Sequence, residues 1–100
     1  MSPIPPDPAH PRADEILRSV AELLAQRGAQ RDSPEGERSM MLAIQMFRLA
    51  TGIELSVAQG WHFMVILKLA RMRSNRGPVN PDDFLDAIGY LALELETILE

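Results

Sequence analysis

The apolar positions of this chain fall into four blocks with helical spacing, separated by short polar breaks that carry glycine or proline. In the first block Ile16, Leu17, Val20, Leu23 and Leu24 follow an i, i+1, i+4, i+7, i+8 stripe, with Gly28 placed as its stop. That spacing predicts a helix over 12–27. Ser33 before Pro34 forms a cap and first-turn pair, Glu35 and Glu37 suit the positive end of a helix, and Gly52 closes a second helix over 34–51. Its apolar set is Met40, Met41, Ile44 and Phe47, with Leu49 or Ala50 as a further member, set against Glu37, Arg38, Gln45 and Arg48. Ser56-Val57-Ala58-Gln59 has the form of a capping box and starts a third helix over 57–74. Between Trp61 and Met72 only His62, Lys68 and Arg71 are strongly polar, so this helix must be central or covered by another subunit. Asn75-Arg76-Gly77-Pro78 breaks the pattern, and Asn80-Pro81 opens a fourth helix over 81–99. Its expected core stripe is Phe84, Leu85, Ile88, Leu91, Ala92, Leu95, Ile98 and Leu99, with Asp82, Asp86, Tyr90 and Leu93 projecting elsewhere.

Four short helices with tight connections predict an all-α fold, a small four-helix bundle over 12–100. Five prolines within 1–11 leave that stretch unable to sustain a helix, and a disordered arm is expected there. Composition agrees: 46% of residues are hydrophobic but only 5% aromatic, which favours helices over a β-sandwich. A third helix this apolar is hard to cover with three amphipathic partners in 100 residues. Burying apolar surface contributes about 25 cal/mol per Å², so a homo-oligomer, most simply a symmetric dimer with Trp61 and Met64 at its interface, is expected, the alternative being a monomer whose first helix and arm fold over the exposed side.

Charge and residue usage narrow the functional classes. With no cysteine, disulfides and thiolate metal sites are excluded. A net charge of −4 and the lack of aromatics interleaved with Arg71, Arg73 and Arg76 argue against nucleic acid as a partner. The proline-rich start lacks the basic-then-apolar run of a signal peptide, and no apolar stretch reaches the roughly 18 residues of a membrane span, so a cytoplasmic location is expected. His62 has no second histidine at i+3 or i+4, which makes it a surface or interface residue before a metal ligand.

The candidate chemistry lies in the last third. From Leu55 to Pro81 the chain holds Lys68, Arg71, Arg73 and Arg76 and no acid; from Asp82 to Glu100 it holds six acids and no base. Pairing between helices three and four is therefore favoured, with Asp86 against Lys68 or Arg71 as the preferred contact. Asp82 and Asp83 stand in the first turn of helix four, where the helix dipole alone accounts for a carboxylate. Asp82, Asp86 and Tyr90 are spaced one turn apart, an arrangement able to hold a cation or orient a polar ligand.

Two resemblances bear on function. Asp82-Asp83-Phe84-Leu85-Asp86-Ala87-Ile88-Gly89-Tyr90-Leu91 is similar to the second acidic motif of the all-α nucleoside triphosphate pyrophosphatases, the MazG-like superfamily. In that superfamily such residues line a magnesium site, so the resemblance implies Asp82, Asp83 and Asp86 as Mg²⁺ ligands, with Lys68, Arg71 or Arg38 on phosphate. More broadly, Gly36-Glu37-Arg38-Ser39-Met40, Gly60-Trp61-His62-Phe63-Met64, Leu67-Lys68-Leu69-Ala70-Arg71 and Asp86-Ala87-Ile88-Gly89-Tyr90 resemble a family of small helical proteins common in phages and prophages. That second resemblance implies a genomic setting rather than an activity.

The departure from the pyrophosphatase pattern outweighs the match. Those enzymes are expected to supply a further acidic pair from the preceding helix, as hard oxygen coordination of Mg²⁺ requires. Here that helix offers Lys68, a cation where a metal should sit. The expected function is a non-catalytic, phage-type helical oligomer without a cofactor, which binds a protein partner or a nucleotide through Arg38, Lys68, Arg71, Asp86 and Tyr90. A divergent Mg²⁺-dependent pyrophosphatase is the alternative.

Overall fold

A computed structural model describes residues 10–31 and 38–100, excluding the side chains of 27–31 and 38. The described residues form four α-helices and no strand: α1 (Ala13–Arg31), α2 (Arg38–Thr51), α3 (Val57–Ser74) and α4 (Pro81–Leu99). The expected arm falls largely on 1–9, and the Ser33-Pro34 cap with Glu35 and Glu37 on 32–37; both lie outside the described residues.

The helix ends follow from local chemistry. At the start of α3 the Ser56 hydroxyl accepts from the Gln59 N–H at 3.1 Å, while the Gln59 side-chain oxygen accepts from the Ser56 N–H at 2.9 Å, completing the capping box. α4 opens with Asn80, whose side chain accepts from the Asp82 N–H at 3.1 Å, followed by Pro81. Gly52 ends α2 in the left-handed region at φ 76°, with its N–H donating to the Arg48 carbonyl. Gly28 does not end α1, which runs on to Arg31. An interior glycine costs about 1 kcal/mol relative to alanine, and the helix formers Ala29, Gln30 and Arg31 that follow sustain the helix past it.

The centre of the molecule is the pair α3 and α4, which pack closely, with α1 against α4 and α2 against α3. The pair is antiparallel: Trp61 meets Tyr90, and further along α3 Lys68 meets Asp86, nearer the start of α4. Val65 on α3 and Ala87 on α4 are buried in this contact. On the outer sides two glycines mark close approach, Gly60 beneath Met40 and Ile44 of α2 and Gly89 beneath Val20 and Leu24 of α1.

The buried face of α4 is rotated away from the one expected from sequence, although Leu85 and Ile88 of the expected stripe are half-buried and Asp82 is exposed as expected. Asp83, Ala87 and Gly89 are buried and Asp86, Tyr90, Leu93 and Glu94 half-buried, whereas Phe84, Leu91, Leu95, Ile98 and Leu99 of the expected core stripe are exposed. Electrostatics and ring stacking turn the helix: Lys68 draws Asp83 and Asp86 inward, and Trp61 draws Tyr90. Apart from Leu85 and Ile88, the expected stripe is left exposed. Similar shortfalls occur elsewhere, since Leu17 and Leu23 of α1 and Met41 and Phe47 of α2 are exposed. Among the described residues the buried apolar set is only Val20, Val65 and Ala87.

Candidate functional site

Lys68 sits in the second half of α3, at the level of the first two turns of α4. Its Nζ lies 3.0 Å from an Asp86 carboxylate oxygen and 4.0 Å from one of Asp83. These side chains are withdrawn from water: Lys68 is 11% exposed, Asp83 12% and Asp86 24%. Asp83 and Asp86 are three residues apart and so share a helix face, which lets one ammonium neutralise both. Charges this far from solvent are costly unless paired, and Lys68 pairs with both carboxylates.

Toward the other end of the hairpin the seam continues with Trp61 stacked on Tyr90, ring centroids 5.9 Å apart and planes inclined by 21°. Beyond it, His62 Nδ1 lies 2.9 and 3.1 Å from the two oxygens of the Glu94 carboxylate. A carboxylate only accepts, so the Nδ1–H donates. Two contacts thus lie on the seam of the two central helices, and the His62–Glu94 contact flanks it.

Of the residues singled out from sequence, the structure brings together Lys68 and Asp86, adds Asp83, and places Tyr90 against Trp61. Asp82 and Arg71 are exposed, while Met64 and Trp61 are half-buried in the chain's own packing. Arg38 opens α2, and its side chain lies outside the described residues. Two pairings were missed, Asp83 with Lys68 and Glu94 with His62. Asp83 reads in sequence as a helix-dipole residue, yet its spacing from Asp86 carries the signal that both meet one cation. The Glu94 partner of His62 has no local sequence signal, because the two stand 32 residues apart.

Among the described residues, the crevice beside Asp86 has little room for a ligand. Lying between α1 and α4 and lined by Val20, Leu24, Leu85, Asp86, Gly89 and Tyr90, it holds about one water molecule. Small-molecule sites ordinarily need roughly 300 Å³ or more. Among the described residues no group of three or more acidic or histidine side chains is arranged to hold a metal ion, and no helix is long and apolar enough to cross a membrane. Comparison of the chain with protein-family models, with curated proteins and with solved structures found no match.

Proposed function

We propose that this chain is a non-catalytic helical interaction protein of phage or prophage type, which works as a homo-oligomer in the cytoplasm and binds a protein partner. The observation that carries the reading is the Lys68 ammonium held between Asp83 and Asp86. A pyrophosphatase of the MazG-like kind needs those carboxylates for Mg²⁺, and a cation already bonded to them opposes a second one by charge and by position. Large apolar side chains exposed on α2, α3 and α4 favour association over solution chemistry.

The test is a pyrophosphate-release assay across a nucleoside triphosphate panel with Mg²⁺, run beside isothermal titration of the same nucleotides. No release and no heat are expected. Mg²⁺-dependent release that disappears in Asp86→Ala would establish the enzyme in place of this reading, with Asp82, Asp83 and Asp86 as metal ligands. Saturable heat without turnover would replace the protein partner by a nucleotide.

A further inference from the structure

The two outer helices, α1 and α2, pack on one side of the central hairpin. Trp61 and Tyr90 meet at the α3–α4 seam, and each is preceded by a glycine, Gly60 covered by α2 and Gly89 covered by α1. One residue back along a helix is a rotation of about 100°. In an antiparallel pair, equal rotations from the shared seam lead to the same face of the pair. α1 and α2 therefore lie on one face, and the residues one step forward, His62 and Leu91, lie on the other.

No described helix covers that second face. It presents Ile66 and Leu69 from α3 and Phe84, Leu91, Leu95 and Ile98 from α4, all of them 48 to 62% exposed. The α4 residues, with Ile88 between Phe84 and Leu91, repeat at intervals of four, three, four and three, the spacing of a helix seam that packs against another helix. Six large side chains half in water make a patch at or above the ~300–600 Å² that is the largest on ordinary monomers, and with its rim it approaches the ~800 Å² per partner of a stable interface. The stretch 1–9 offers only Met1 and Ile4 as large apolar cover, too little for such an area.

We infer that a second copy of this chain docks on this face, α4 against α4 in antiparallel fashion about a twofold axis near Leu91. The inference rests on the homo-oligomeric reading above and adds its surface and orientation. Charge selects the antiparallel sense. One end of the hairpin carries Lys68, Arg71, Arg73 and Arg76 against Asp82, Asp83 and Asp86, a surplus of one positive charge, whereas the other carries Glu94, Glu96 and Glu100 with no Lys or Arg on either helix there. Antiparallel docking sets basic end against acidic end, whereas parallel docking stacks like charges. The product is a core of four helices, two from each copy, with α1 and α2 outermost.

Light scattering and sedimentation on the full chain are expected to give twice the 11.2 kDa chain mass. Leu91→Asp with Leu95→Asp should raise the dissociation constant by roughly 100-fold or more while circular dichroism stays helical, since both residues face water in the isolated protomer. The chain has no cysteine, so single cysteines report geometry. Under mild oxidation Leu91→Cys is expected to cross-link with itself. Phe84→Cys, whose copies stand about 20 Å apart along the axis, should cross-link only when mixed with Ile98→Cys. A monomer at all concentrations would overturn both the oligomer and this face, including the case in which 1–9 covers it. A dimer that survives the Leu91→Asp, Leu95→Asp change overturns the face alone, and self-linking of Phe84→Cys overturns the antiparallel arrangement.

Discussion

Lys68 and Asp83 approach to 4.0 Å with both side chains almost out of water, and Asp86 completes the contact at 3.0 Å from the same ammonium. Removing the cation leaves Asp83 buried without its charge partner. Lys68→Met should therefore destabilise the fold by about 3 kcal/mol in urea titration. Combining it with Asp83→Asn should restore part of that loss, because a neutral amide is cheaper to bury than a carboxylate. A Lys68→Met protein as stable as the parent would show that the contact does not hold α3 to α4.

The Trp61–Tyr90 stack gives an independent probe of the same seam, and Trp61 is the sole tryptophan. Tyr90→Ala should cost about 2 kcal/mol, below the ~3–5 kcal/mol of a fully buried aromatic because Tyr90 is only half-buried. Native-state fluorescence should shift to the red as water reaches the indole. Tyr90→Phe keeps the ring and should change stability by no more than about 0.5 kcal/mol. Equal losses in the two variants would place the contribution in the hydroxyl rather than the stack.

The local parts of this fold were legible and the choice of buried face was not. The capping box at Ser56, the cap at Asn80 and the stop at Gly52 depend on residues within one turn of each other, so sequence spacing determines them. Lys68 with Asp86 was also within reach, because one segment carries only bases and the next only acids. For α4, the rule that the apolar stripe turns inward assumes that the chain supplies its own cover. Here the covering helices lie on the other face, and the seam is built from Asp83, Asp86, Ala87 and Tyr90. Gly28 misled for a simpler reason, as glycine only weakens a helix whose neighbours favour it.

Capping at the start of α3 predicts a modest and separable effect. Ser56→Ala removes the acceptor for the Gln59 N–H and should cost about 1 kcal/mol, read as a lowered melting temperature. Gln59→Ala removes only the return bond to the Ser56 N–H, which is exposed and can turn to water. Its loss should be smaller. If the Gln59 change were the larger, the reciprocal bonding would not be what starts α3.

The two glycines beneath the outer helices should respond to alanine in opposite directions. A methyl at Gly89 would meet Leu24 at 3.8 Å and Val20 at 3.9 Å, ordinary van der Waals distances. Gly89→Ala therefore keeps the packing of α1 and gains helix propensity, raising stability by about 0.5–1 kcal/mol. At Gly60 the same methyl would overlap the Met40 sulfur and come within 3.3 Å of Ile44. The methionine tip can move aside but the branched Ile44 methyl is held by its own backbone, so α2 must shift outward. Gly60→Ala should lower the melting temperature, and Met40→Ala in the same chain should relieve part of the loss by opening space for the new methyl. Opposite signs at these two positions, measured by thermal unfolding at one protein concentration, would establish that α2 is seated on α3 more tightly than α1 is on α4.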